Sequence, residues 1–142
     1  MKTIGFLVLA AVLMSACGTV STADATKQWM DQSNFTNAHA TLVGDATAAL
    51  RALNSPTASA PERHTVCEVL YTDTSAAISA LPTPDQQATN LLDSSYTHFG
   101  VGAHTCFIAT TTALIQRATH DIYAGLGDLS FAKIRLGVVT GG

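Results

Sequence analysis

Apolar residues recur every three or four positions through most of this chain, and that spacing restricts the folds open to it. In the first segment the pattern runs over residues 29–53 and stops at Pro56. A second segment carries the same spacing over residues 61–81 and stops at Pro82. Because this spacing places apolar side chains on one face of a helix, the sequence predicts amphipathic helices. Proline ends each of them because it disfavours helical geometry in the residue before it.

The second half of the chain continues this pattern. We expect a third helix from a cap at Thr83 to the glycines of residues 100–102, a fourth over residues 103–122 that stops at the glycines of 125–127, and a short last helix over residues 130–136. We predict helix ends at these glycines because glycine commonly terminates helices. The sequence therefore predicts an all-α fold, an up-and-down four-helix bundle with a short C-terminal helix, as one domain over residues 26–142.

The N-terminal segment has a different composition. Lys2 precedes an apolar run of eleven residues, 4–14, which only Gly5 interrupts. Such a run suits the apolar part of an export signal and is too short to cross a hydrocarbon core of about 30 Å. The sequence therefore predicts a cleaved signal peptide over residues 1–16 and an exported protein.

A lipid-attachment pattern follows this run. The residues Leu13-Met14-Ser15-Ala16-Cys17-Gly18 resemble the lipobox of bacterial lipoproteins. The resemblance implies cleavage before Cys17, attachment of diacylglyceryl and palmitate-type chains to that cysteine, and anchoring on the outer face of the cell membrane. Residues 17–25 are then the lipidated N-terminus and a flexible tether. Cleavage after Ala25 is the alternative, and it would release a soluble secreted protein without Cys17.

The remaining cysteines form an even pair. With Cys17 lipidated, an exported compartment favours a disulfide between Cys67 and Cys106. The alternative is a metal or redox site in which His64, Cys67, His104 and Cys106 hold a metal, since zinc accepts two histidines and two cysteines. Their spacing matches no common zinc finger or ribbon, so the disulfide is the preferred interpretation.

Charge and motif content narrow the functional classes. The chain carries a net charge of −3 and no cluster of basic residues that could neutralise several phosphates, so nucleic acid is not an expected partner. Catalytic signatures such as Gly-x-Ser-x-Gly, His-Glu-x-x-His and phosphate-binding loops are missing from the sequence, and we predict neither an enzyme nor a cofactor. Abundant alanine and threonine with few charges resemble proteins of high-GC genomes such as those of actinobacteria, including mycobacteria.

Together these features predict a non-catalytic interaction or accessory module at the bacterial cell envelope. Its expected partners are the membrane, through the N-terminal lipid, and an unidentified envelope protein or small apolar ligand. The alternative is a helical carrier of small molecules or lipids, because small residues at core positions would leave space between the helices. Those residues are Ala77, Ala88 and Ala113.

Overall fold

The computed structural model describes residues 20–142, and all regular structure in that range is helical. Its five helices are α1 (Thr22–Gln32), α2 (Phe35–Asn54), α3 (Ala60–Ile78), α4 (Gln86–Phe107) and α5 (Thr112–Thr140). The predicted all-α bundle is confirmed. The predicted signal peptide and Cys17 lie outside the described residues.

The four longer helices form the body of the bundle. Each of α2, α3 and α4 packs against the next helix along the chain, and α5 returns to pack against α2. The short α1 lies against α2 and α5. This arrangement places the start of α2, the end of α3, the start of α4 and the end of α5 at one end of the bundle.

Capping side chains fix the start of four helices. Each is a serine, threonine or aspartate whose oxygen accepts a hydrogen bond from a main-chain amide three residues later. These residues are Ser21, Ser59, Asp85 and Thr111, for α1, α3, α4 and α5 respectively. Residues 22–25, predicted to belong to the flexible tether, are instead the first residues of α1.

The first predicted helix is two helices. It breaks at Asn34, which has a φ of 50° in the left-handed region and separates α1 from α2. Asparagine tolerates this conformation better than most residues. The apolar spacing continues across the break, because Trp29 and Phe35 pack against each other with ring centroids 5.6 Å apart. Periodicity alone therefore could not reveal it.

The cap of α4 also differs from its prediction. Asp85, rather than the predicted Thr83, is the cap, and its Oδ1 accepts a hydrogen bond of 2.8 Å from the Ala88 amide. The Thr83 hydroxyl instead accepts from the Asp85 amide at 3.1 Å. Arg135 of α5 donates two hydrogen bonds to the Asp85 carboxylate, at 3.0 and 2.7 Å. The Asp85 carboxylate is therefore cap and ion-pair partner at once.

The glycine pairs do not end helices. The predicted ends at residues 100–102 and 125–127 are wrong, since α4 continues to Phe107 and α5 to Thr140. The predicted short helix over residues 130–136 is accordingly part of α5. The actual break between these two helices is at residues 108–111.

Two of these glycines permit close contact between α4 and α5. A Cβ at Gly102 would lie 2.8 Å from the Ile122 side chain, and one at Gly125 would lie 2.6 Å from the Phe99 ring. Phe99 and Ile122 are both fully buried. Each large side chain therefore fills the space over a glycine of the facing helix.

Cys67 and Cys106 form a disulfide, as predicted, with their Cα atoms 5.9 Å apart. The prediction placed them on two parallel helices. In the structure they lie on neighbouring antiparallel helices, Cys67 near the start of α3 and Cys106 near the end of α4. Both arrangements bring the residues to the same end of the bundle.

We expect alanine to have opposite effects at neighbouring glycines. Gly102→Ala and Gly125→Ala should lower the free energy of unfolding by about 1–3 kcal/mol, because the added methyl group overpacks the contact. Gly100→Ala and Gly127→Ala, on the same two helices, meet nothing within 4 Å. These controls should be neutral or stabilising by up to about 1 kcal/mol, as alanine favours helix. Urea unfolding followed by circular dichroism measures both, and equal shifts within each pair would contradict this packing.

The disulfide should contribute substantially to stability. Closing a loop across a sequence separation of 39 residues corresponds to about 4 kcal/mol in the chain-entropy description. The double variant Cys67→Ala/Cys106→Ala should therefore unfold at a much lower urea concentration than the oxidised protein. Wild-type protein reduced with dithiothreitol is the control, because it loses the bond and keeps both sulfur atoms. An unchanged midpoint after reduction would show that the bond adds nothing.

Candidate functional site

A groove opens at the end of the bundle where α1 meets α2. It has a volume of about 650 Å³ and lies between the α1–α2 turn and the last turns of α3. Its lining residues are Trp29, Gln32, Ser33, Asn34, Phe35, Asn37, Ala38, Thr41, Leu42, Asp73, Ala76, Ala77, Ser79, Ala80 and Tyr96. The break at Asn34 forms part of this wall, so the groove depends on the feature that periodicity did not predict.

Two aromatic rings form one wall. The Trp29 indole donates a hydrogen bond of 2.7 Å to the Ala80 carbonyl, which fixes α1 against the end of α3. Phe35 is buried beside it, and the His39 ring lies 5.9 Å beyond Phe35. Burial, and secondarily the charge of Lys133, lowers the pKa of His39. His39 is therefore neutral at pH 7 and adds no positive charge near the groove.

Tyr96 reaches the groove from α4. Its side chain is only 4% exposed, yet it lines the cavity. Burial raises the pKa of Tyr96 to about 12. The phenol therefore remains protonated at neutral pH and is a neutral hydrogen-bonding group in the lining of the groove.

A pair of carboxyl groups lies beside this cavity. Asp73 of α3 lines the groove, and Asp45 of α2 faces Asp73. Burial, then hydrogen bonding to Asp73 and repulsion from its charge, raises the pKa of Asp45 to about 6. The Oδ2 atom of Asp45 is shielded from solvent and has no hydrogen-bond partner. The two carboxyl groups give this region a negative potential that no nearby side-chain cation in the groove lining offsets.

The residues proposed for a metal site do not form one. Cys67 and Cys106 are joined in the disulfide, which removes the thiolates that zinc requires. His64 stacks on Phe107 with ring centroids 4.5 Å apart, and His104 borders a separate cavity of about 230 Å³ beside the disulfide. Within residues 20–142, no three histidine, cysteine, aspartate or glutamate side chains are arranged to hold a metal ion.

A serine, an aspartate and a histidine also meet between α4 and α5. The Ser94 hydroxyl donates to Asp128 Oδ2 at 2.7 Å, and His98 Nε2 lies 3.9 Å from the same oxygen. A nucleophilic serine needs a base that accepts its proton and a third group that orients that base. Here the serine and the histidine both face one carboxylate, so this contact joins two helices rather than forming a catalytic triad.

The three alanines predicted to leave space between the helices lie in three different environments and do not line a common cavity. Ala77 lines the groove, Ala88 is packed in the core, and Ala113 is exposed. Asp73 and Tyr96 also line the groove, and no sequence motif identifies them as site residues. Their spacing places them within predicted helices, but only the packing of α2, α3 and α4 brings them to one cavity.

Comparison of the chain with protein-family models, curated proteins and solved structures finds no match. No helix in the described part of the chain is long and apolar enough to cross a membrane. The surfaces and cavities of the bundle are therefore the features that bear on its function.

The Asp45 carboxyl should make stability depend on pH. Because its pKa is raised in the folded state to about 6, the fold loses stability as pH rises from about 4 through about 6. Asp45→Asn should remove that loss and be more stable than wild type at pH 7 by on the order of 1 kcal/mol, allowing for solvent screening. The two proteins should be similar at pH 4.

Urea unfolding at pH 4 and pH 7 measures this difference. Asp93→Asn is the matched control, since it removes one exposed carboxylate from α4. If the Asp45→Asn and Asp93→Asn proteins follow the same pH dependence, the Asp45 contact has no special effect.

Proposed function

We propose that this protein is a lipid-anchored, non-catalytic interaction module of the bacterial cell envelope that lies on the membrane surface along α5. The observation that supports this most directly is an exposed apolar face on α5. Its large side chains are Tyr123, Phe131, Ile134 and Val138, which are 59%, 61%, 60% and 66% exposed. Contiguous exposed apolar surface of this kind marks a site of interaction.

The geometry of this α5 stripe suits a flat apolar surface. Its residues recur at helical spacing over residues 123–138, a length of about 22 Å. Gly127 continues the stripe between Tyr123 and Phe131, and no charged side chain interrupts it. The opposite face of the same helix carries Leu129 and Leu136, which are fully buried. One face of α5 thus holds the bundle together while the other is free to contact a partner.

The position of the proposed lipid favours the bilayer as that partner. Cys17 is five residues before Thr22, so the chain between them spans at most about 18 Å. Since α1 packs against α5, a lipid on Cys17 would bring the bilayer close to the α5 stripe.

The lipid on Cys17 and the α5 stripe would then act together. Stable anchoring of a peripheral protein generally requires more than one acyl chain or a second membrane contact. The α5 stripe would supply that contact, and tyrosine is favoured at the membrane interface. No residue of α5 lines the groove. A bundle resting on α5 would therefore leave the groove open to the surroundings.

Lipid anchoring predicts that Cys17→Ala moves the protein out of the membrane. Wild-type and variant precursors expressed in a lipoprotein-processing bacterium should partition differently, with wild type in the membrane fraction and Cys17→Ala in the soluble fraction. Intact mass of the mature wild type checks the cause, because lipidation adds the mass of the acyl chains. Equal partitioning of the two proteins would contradict the anchor.

Contact of α5 with lipid is tested separately. In vesicles of phosphatidylethanolamine and phosphatidylglycerol with brominated acyl chains, lipidated Phe131→Trp protein should lose tryptophan emission by quenching. Val69→Trp is the matched control, because Val69 is 43% exposed on α3, a helix that does not contact α5. Equal quenching at both positions would overturn the proposed orientation. Dimerisation in solution that Phe131→Ser abolishes would instead assign the stripe to a second copy of the chain.

A further inference from the structure

We propose that the groove between α1, α2 and α3 binds a small organic cation, with its ammonium group beside Asp73 and its apolar part against Trp29 and Phe35. The groove is a different surface from the α5 stripe, and binding in it does not depend on lipid attachment. A negative charge, two aromatic rings and a buried phenol meet in this one cavity.

The charge of the groove selects for a cation. Asp73 is the one carboxylate among the described residues that line it, and the lining contains no lysine, arginine or histidine. Asp45 stands next to Asp73, outside the lining, and its Oδ2 has no partner. A positive group beside Asp73 would offset the repulsion between these two carboxyl groups.

The dipoles of α3 and α2 determine which side of the groove favours a cation. Ala76, Ala77, Ser79 and Ala80 line the cavity at the end of α3, where the helix dipole is negative. The opposite wall begins with the first turn of α2, where the dipole is positive. An ammonium group is therefore favoured at the α3 side, next to Asp73, and disfavoured beside Asn34.

Aromatic and phenolic groups complete the site. Trp29 and Phe35 present rings to the groove, and both an apolar body and a cation are attracted to such faces. Tyr96 is more than nine-tenths buried and still lines the cavity. Its burial raises the pKa of the phenol. The phenol is a neutral group that can donate a hydrogen bond to a ligand or accept one from it.

The size of the groove fits this class of ligand. Sites for small organic molecules generally enclose about 300–1,000 Å³, and this groove measures about 650 Å³. A single metal ion would leave most of that volume unfilled. An alkyl or aromatic ammonium compound would occupy both the charged side and the aromatic wall.

Three probes with one apolar body separate charge from shape. Phenethylamine, 2-phenylethanol and 3-phenylpropionate share a phenyl ring and an ethylene chain and carry positive, neutral and negative heads. Trp29 is the only tryptophan of the chain and lines the groove, so its emission reports binding to the full mature protein. We expect saturable binding of phenethylamine, binding about tenfold weaker for the alcohol and none for the anion.

Substitutions assign the effect to named side chains. Asp73→Asn should weaken phenethylamine binding about tenfold, to the level of the alcohol. Tyr96→Phe should weaken it about threefold, because only the hydroxyl is lost. Asp93→Asn removes an exposed carboxylate outside the groove and should leave binding unchanged. Helical content measured for each variant separates loss of binding from loss of fold.

Three outcomes would overturn this inference. Equal affinity for amine and alcohol would show an apolar groove without charge selection. Preference for 3-phenylpropionate would show that the start of α2 dominates the electrostatics. Unchanged amine binding by Asp73→Asn would place the cation elsewhere. Each result is independent of whether Cys17 carries lipid or α5 contacts the bilayer.

Discussion

The close approach of α4 and α5 is the contact on which the rest of the bundle depends. Phe99 lies over Gly125, and Ile122 lies over Gly102, so the contact is reciprocal. The Ser95 hydroxyl donates a 2.8 Å hydrogen bond to the Gly125 carbonyl in the same buried region. Any larger residue at either glycine would separate the helices, because protein interiors are close-packed and have little space to absorb a methyl group. This contact also sets the direction in which the opposite face of α5 points.

The N-terminal arm, formed by α1 and the turn at Asn34, shapes the groove, which is the second main feature of the molecule. Its turn at Asn34 redirects the chain, and the Trp29 hydrogen bond to Ala80 holds α1 at the end of α3. Without that arm, Asp73 and Tyr96 would border an open surface rather than a cavity. The carboxyl pair costs stability above pH 6, because Asp45, with its pKa raised to about 6, then loses its proton beside Asp73.

The two proposed surfaces lie on different helices and are compatible. The α5 stripe uses the outer face of α5, whereas the groove uses α1, α2, α3 and Tyr96. A module held flat on a membrane by α5 would keep its groove accessible to small molecules at the membrane surface. The disulfide between Cys67 and Cys106 stiffens the opposite end of the bundle and takes part in neither surface.

The sequence by itself determined the all-helical class of the fold and the cysteine pair. The spacing of apolar residues is a local property of the sequence, so the helical class could be predicted from it. With Cys17 assigned to lipid, Cys67 and Cys106 have no other cysteine to pair with, so their disulfide could be predicted too. Only the tertiary structure decided the structural role of Gly102 and Gly125 and the existence of the groove. Gly102 and Gly125 look like helix ends in isolation, and only the facing Phe99 and Ile122 show that they permit contact. The groove joins residues from α1 to α4, and local spacing carries no information on how separate helices are placed against each other.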